Sequence, residues 1–281
     1  MNLLRGLLFV LYHPLNRARP VQTLFRVIWW KVNQLFFKLP AIITLTDSIR
    51  CICYPSSSYG SLIVYTKFPE YLEMRHVLNT LKKDDVFVDV GAGLGDYSLL
   101  AASKITTGKI YSFEPHPEAF KLLSENMQLN NLEKILKPYN SAVTNKNGVV
   151  RFVAHEVSEL SRISSRANDE STISVSATTL DTFCEQNTIN NIDVLKVDVE
   201  GAERSVFLGA KNMLKQGRIK QIIFELNTNP SRFNDESRFQ TLEYLEKNSF
   251  RFYSFENQNA TYTKKNILDI KTTQNILARL V

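Results

Sequence analysis

From about residue 84 onward, short apolar runs alternate with helical patterns, and this constrains the fold more than any other feature. "VFVDV" (86–90) reads as a buried strand, and residues 96–103 open a helix. "KIYSFEP" (109–115) is a second strand. "PEAFKLLSENMQLN" (117–130) is a helix that starts on proline, where the missing N–H is harmless. A third strand lies in 134–143, a fourth in 192–201 and a fifth in 219–227. The helix 203–214 separates the last two, and "LDTFCEQN" (180–187) forms a short helix before the fourth strand. "GVVRFV" and "TISVSATTL" read as an antiparallel insertion, at about 148–178. Near-continuous apolar strands alternating with helices require a parallel sheet covered on both faces.

In such sheets ligands sit outside the carboxyl ends of the strands. The residues there are Asp89, Glu114, Asn140, Asp198 and Glu225. Four of the five are acidic. Carboxylates at one rim are not explained by core packing, because an unpaired buried charge is costly.

The first strand runs into Gly91-Ala92-Gly93-Leu94-Gly95-Asp96. A dinucleotide turn reads G-x-G-x-x-G and sets a pyrophosphate on the following helix N-terminus. Here Asp96 stands where the third glycine belongs. An aspartate at that helix start repels a phosphate and competes for the same N–H groups, which disfavours NAD. A cofactor that carries no phosphate and a positive centre suits the turn, and S-adenosylmethionine is one. Glu114, at the end of the second strand, is placed to accept hydrogen bonds from both ribose hydroxyls.

"FVDVGAGLGDYSLLAA", "IYSFEPHPEAFKLLSENMQLNN", "TTLDTF" and above all "DVLKVDVEGAE" resemble the FkbM family of class I S-adenosylmethionine-dependent methyltransferases. The resemblance covers residues 84–227, about half the chain. It implies a Rossmann-like α/β fold, a seven-stranded sheet with helices on both faces and one antiparallel strand near the C-terminus. Residues 250–255 and 260–268 would supply the last two strands as a hairpin. It also implies O-methylation of a hydroxyl on a sugar, a glycolipid or a secondary metabolite. By the family pattern Asp89, Gly91 and Gly93 hold the methionine end of the cofactor, Glu114 and Pro115 match the ribose-binding strand end, and Asn140, Ser141 and Ala142 fall near the adenine.

An acceptor hydroxyl needs a base or a metal to draw off its proton. Asp198, at the end of the fourth strand, is the first candidate for either role. Glu200 and Glu225 join it as candidate catalytic residues. Asp198 and Glu225 together suit a hard divalent ion such as Mg²⁺. Glu203 has a plainer reading as a helix-start acid facing the dipole, and Glu200 as a salt-bridge partner of Lys196 or Arg204. The histidines His13, His76, His116 and His155 form no H-x-x-x-H or H-E-x-x-H pair. His116 is read either near the adenine or on the surface and His155 either near the acceptor or on the surface, while Tyr97 and Phe68 are read as lining the cofactor entrance.

Residues 1–46 contain no Asp or Glu but carry Arg5, Arg17, Arg19, Arg26, Lys31 and Lys38, so this segment accounts for the whole net charge of +6. Two amphipathic helices are expected, over about 3–12 and 21–39, broken by Pro14 and Pro20. The longest uncharged run is too short to span a bilayer, and no signal-peptide cleavage site follows. Two readings remain: the helices pack on the body or another subunit, or they lie on a membrane surface. The organisation expected is therefore a basic helical extension (1–46), a connecting segment (47–83) and a methyltransferase domain (84–281).

Three cysteines, Cys51, Cys53 and Cys184, form no disulfide framework, which points to a reducing, cytoplasmic setting. Cys51 and Cys53 read as two small apolar residues on one face of a strand. The near-neutral body lacks a nucleic-acid footprint, so an RNA methyltransferase is the weaker alternative. A non-catalytic membrane-associated scaffold is weaker still, because the glycine turn and the strand-end acids are intact. The acceptor is expected to be a small molecule or glycan.

Overall fold

Strand and helix boundaries follow local chemistry closely. The computed structural model describes residues 3–153, 162–163, 172–226, 235–256, 258, 261–263, 266–267, 269 and 273–281. Helices α1 (Leu3–Tyr12) and α2 (Pro20–Val32) come first, and α2 continues into a π-helical turn that Lys38 closes with φ +54°. A hairpin of β1 (Ala41–Thr44) and β2 (Arg50–Cys53) leads to α3 (Ser58–Thr66) and α4 (Tyr71–Thr80). Ser57 caps α3 by accepting from the Gly60 N–H at 2.8 Å.

The alternating region gives β3 (Val86–Val90), α5 (Asp96–Ala102), β4 (Lys109–Phe113), α6 (Pro117–Leu129), β5 (Leu136–Tyr139) and β6 (Ala142–Val143). The insertion supplies β7 (Gly148–Val153), β8 (Arg162–Ile163) and β9 (Thr172–Thr178). Then come α7 (Leu180–Gln186), β10 (Ile192–Val197), α8 (Glu203–Gly209), α9 (Lys211–Lys215), β11 (Ile219–Leu226), α10 (Asp235–Lys247), β12 (Phe250–Tyr253), β13 (Thr261–Tyr262) and β14 (Gln274–Leu280).

The main sheet has the order β13-β12-β14-β11-β10-β3-β4-β5. Strands β5, β4, β3, β10 and β11 are mutually parallel, and β14 runs antiparallel between β11 and β12. This is the expected seven-stranded class I methyltransferase sheet, with β13 added as a two-residue edge. Alternate residues of each strand feed opposite cores. Phe87, Ile110, Val194 and Ile223 pack toward α3, α4 and α5, whereas Val88, Leu195, Ile222 and Phe224 pack toward α7, α8 and α9. Each fully buried Phe, Leu or Ile contributes about 1.5–3 kcal/mol.

Four expectations need correction. The last strand of the sheet is β14, not residues 260–268. "QNILARL" pairs with β11 from Gln221↔Arg279 to Leu226↔Gln274, while among the described residues of the shorter segment only β13 pairs, on β12. The third strand is broken at Asn140–Ser141 into β5 and β6, which belong to different sheets. The fourth strand ends at Val197, because Glu200 (φ +52°) and Gly201 (φ +102°) turn the chain. The helix 203–214 is two helices. A Cβ on Gly209 would lie 2.0 Å from the Thr144 carbonyl oxygen, so backbone meets backbone where they divide.

The insertion forms its own sheet, β6-β9-β7-β8, with β7 and β9 antiparallel from Gly148↔Ala177 to Val153↔Thr172. His155 lies outside the described residues. Cys51 and Cys53 both point into the core from β2.

The N-terminal helices pack on the body by one face. Trp30 is fully buried, and its indole N–H donates to Ser61 Oγ at 2.9 Å. Asn16 donates to the Val10 and Tyr65 carbonyls, Arg26 donates to Asn16 and Tyr65, and a His13 ring nitrogen meets the Phe68 carbonyl at 2.8 Å. No helix among the described residues is long and apolar enough to cross a membrane.

Candidate active site

A cavity of about 370 Å³ opens at the carboxyl ends of β3, β4, β10 and β11, with further walls from the segments before α3 and α4 and from the insertion. This is where a parallel sheet of this order places its ligand.

The turn after β3 is shaped by close approach. Gly91 has φ +83°, and a Cβ there would fall 1.8 Å from the Asp198 carbonyl oxygen. No side chain fits between β3 and β10. The Gly91 and Ala92 N–H groups donate to the Phe113 carbonyl at 2.9 and 3.0 Å, which fastens the turn to β4.

Glu114 is buried beside that turn. Its two carboxylate oxygens accept from the Gly93 N–H (2.7 Å) and the His116 N–H (2.8 Å). Each keeps lone pairs for a further donor. Burial pushes its carboxyl up to about 7, against the pull of those two N–H groups. His116 is buried rather than on the surface. It caps α6 through Nδ1 and faces Phe152 of the insertion edge to face. Asn140 turns its amide back onto the Glu114 and Pro115 carbonyls (2.8 and 3.2 Å), so it braces the chain just after β4, while Pro115, Ser141 and Ala142 line the cavity itself.

Asp89 is buried, accepts from Ser98 Oγ at 2.6 Å, and is raised to about 6 by desolvation. Asp96 opens α5, accepts from the Tyr59 hydroxyl at 2.9 Å and is raised by burial to about 7. Tyr97 lines the cavity and donates to Glu70 at 2.5 Å, whereas Phe68 belongs to the core.

On sequence alone Lys196 stands out only as a salt-bridge partner of Glu200. It is 2% exposed, projects from β10 into the cavity, lies 4.8 Å from the centre of the Tyr97 ring, and reaches Asp198 Oδ2 at 2.8 Å. Burial alone would lower its affinity for a proton. The carboxylates of Asp198, Glu70 and Asp89 outweigh this and raise it, so the ammonium persists. Asp198, with its side chain 30% exposed, is the more accessible member of the pair. Burial raises the Glu225 carboxyl well above the usual carboxylate range, and the charges of Asp198, Glu200 and Glu203 add to this. Glu203 accepts from the Gly201 and Val199 N–H groups at its helix start.

The Mg²⁺ expectation does not fit this arrangement. Among the described residues no group of three or more His, Cys, Asp or Glu side chains is disposed to hold a metal. The Asp198 carboxylate is already paired with the Lys196 ammonium at 2.8 Å.

Tyr59 and Glu70 also line the cavity and were not foreseen, since both come from the segment that precedes the alternating region. The walls carry Glu70, Asp89, Asp96, Glu114, Glu118, Asp198, Glu200 and Glu225, with Lys196 as their cation.

Residues 89–252 match the methyltransferase FkbM domain, which is more than half of the chain. The chain belongs to the FkbM methyltransferase family. The hexuronic acid methyltransferase AglP of Haloferax volcanii is 25% identical over 154 residues, covering 55% of this chain and 61% of that protein. The 2-O-methyltransferase NoeI of Sinorhizobium fredii is 27% identical over 161 residues, covering 51% and 65%. A tRNA (guanine(37)-N(1))-methyltransferase of Dictyostelium discoideum is 30% identical over 119 residues, covering 42% and 24%. The chain thus spans less than two thirds of the length of each of these relatives.

Proposed function

We propose that this FkbM-family chain is an S-adenosylmethionine-dependent O-methyltransferase acting on a hydroxyl of a sugar, a glycolipid or a secondary metabolite, in a reducing, cytoplasmic compartment. The observation that carries the reading is the acid-lined cavity built around a glycine turn. Its carboxyl side chains far outnumber its one ammonium, which favours a cationic ligand and opposes a phosphate. Bound there, the cofactor supplies a methyl group on a positively charged sulfur. The chain's own residues do the rest. Glu114 receives the ribose hydroxyls on its remaining lone pairs, Asp89 and the Gly91–Gly93 turn hold the amino-acid end, and Ser141 and Ala142 border the base.

Asp198 is the carboxylate that meets the acceptor. Lys196 fixes its orientation, and Asp198 Oδ1 or Oδ2 takes the proton that the hydroxyl loses. Glu225 and Glu200 border the same space, and Glu225, its proton affinity raised by burial, is suited to donate a hydrogen bond to the acceptor when it holds a proton. No metal enters this scheme. The hexuronic acid and 2-O-methyltransferase relatives favour a sugar hydroxyl. A tRNA acceptor is disfavoured by the acidic cavity walls, which repel a phosphate backbone.

The test is methyl transfer from labelled S-adenosylmethionine to a panel of uronic acids, glycolipids and tRNA. Label in the sugar-bearing acceptors is the expected result. Asp198→Asn should cut transfer by roughly 10²–10⁴-fold with cofactor affinity unchanged. Label in tRNA alone would overturn the acceptor assignment.

A further inference from the structure

Of the nineteen large hydrophobic side chains that are exposed among the described residues, fifteen lie between residues 8 and 42; the other four are Leu72, Val149, Phe239 and Val281. They form a surface rather than a scatter. On α2, Val21, Phe25, Ile28, Trp29 and Val32 recur at helical spacing on the side opposite Thr23 and Trp30, and Phe36 follows in the π-helical turn. Phe9 and Tyr12 of α1 add to the exposed set. The buried side is pinned to α3 and its flanks by the Trp30–Ser61, Arg26–Tyr65 and His13–Phe68 hydrogen bonds, so the helices cannot roll over to hide the apolar side. An apolar helix face exposed along its length, rather than single scattered side chains, marks an interaction site.

Charge identifies the occupant. Arg5, Arg17, Arg19, Lys31 and Lys38 are all exposed around this face, and no acidic residue occurs before Asp47. A two-fold dimer through this face would set the same five cations against themselves. An apolar stripe rich in Phe and Trp with Lys and Arg around it is the pattern of a helix lying in a lipid interface, and anionic headgroups complement its charge. We infer that residues 8–42 dock the protein on an anionic lipid bilayer. The apolar side chains enter the headgroup boundary and the basic side chains meet lipid phosphates. On the buried side Trp30 binds Ser61 of α3, and Ser57 and Tyr59 at the start of that helix line the cavity, so α3 connects the docking helix to the candidate site.

The experiment is co-sedimentation of the full chain with vesicles of phosphatidylcholine alone or of equal parts phosphatidylcholine and phosphatidylglycerol. Two variants are run beside it, Phe25→Ser with Phe36→Ser and Lys31→Glu with Lys38→Glu. These side chains are exposed, so thermal stability should stay at the parent's value, which is measured in parallel. Docking on anionic lipid gives strong binding to the mixed vesicles and little to the neutral ones. Either double variant should weaken it by roughly tenfold or more, and added salt should weaken it too. Equal binding by parent and variants, or no binding, overturns the inference. So does a dimer in solution that Phe25→Ser with Phe36→Ser splits. None of these outcomes depends on whether the cavity binds S-adenosylmethionine.

Discussion

The Lys196 ammonium lies 2.8 Å from the Asp198 carboxylate, two residues further along the same chain, and is itself almost wholly buried. Residues i and i+2 of a strand share one face, so the pair is held where β10 gives way to the turn. It is the point at which a cavity of carboxylates is neutralised enough to exist in the folded protein without a ligand.

Lys196→Met should therefore do more than remove a contact. It leaves Asp198, Glu70 and Asp89 facing one another without a cation. Breaking a fully buried pair costs about 3–5 kcal/mol; with Asp198 partly exposed, roughly 2–3 kcal/mol is expected. Urea unfolding at pH 7.5 measures it, and the loss should shrink at pH 5, where Asp89, raised to about 6, takes up a proton.

The two glycines of the turn should respond unequally to alanine. Gly91→Ala drives a Cβ into the Asp198 carbonyl oxygen and keeps a positive φ, so roughly 3 kcal/mol or more is lost. Gly93 has φ +56°, and a methyl group there would meet no atom within 4 Å. Gly93→Ala should cost only about 1–2 kcal/mol. Equal losses in chemical unfolding would show that the turn does not approach β10 as closely as described.

Stability should fall as pH rises. Asp89 is raised to about 6, Asp96, Glu114 and Glu203 to about 7, and Glu225 to about 9, each chiefly by burial. All lie above their unfolded values, so the folded state holds more protons than the unfolded state between about pH 4 and pH 9, and the unfolding free energy declines across that window. Lys196, raised as well, titrates above it. The melting temperature of the ligand-free protein should be higher at pH 5.5 than at pH 8.5. A cationic ligand should narrow the difference, and a flat profile would contradict the buried carboxyl cluster.

The parallel core was legible because its strands are apolar on both faces and its turns carry glycine. "VFVDVGAG" and "LKVDVEG" each encode a strand and its end, and the structure sets Asp89 and Asp198 around one cavity as those ends imply. The order of the last strands was not legible, because β14 is recruited across the sheet by pairing with β11, and no turn signal announces it. Tyr59, Glu70 and the inward Lys196 were missed for a related reason. Tyr59 and Glu70 reach the cavity from outside the alternating pattern, and only tertiary packing brings them there. Lys196 did leave a signal, a lysine set between Leu195 and Val197 in the buried part of its strand, where an unpaired charge could not be tolerated. Asn140 was expected near the base of the cofactor, but its amide serves the Glu114 and Pro115 carbonyls and only its neighbours Ser141 and Ala142 line the cavity, a use that residue type alone does not reveal.

The most direct test of the account is calorimetric titration of the full chain at pH 7.5 with S-adenosylmethionine and, separately, with NAD, using Glu114→Gln as the companion variant. Saturable one-site binding of S-adenosylmethionine, no binding of NAD, and affinity weakened by roughly tenfold or more in Glu114→Gln are the results expected of an acid-lined methyl-donor site. Binding of NAD, or of neither ligand, would contradict it.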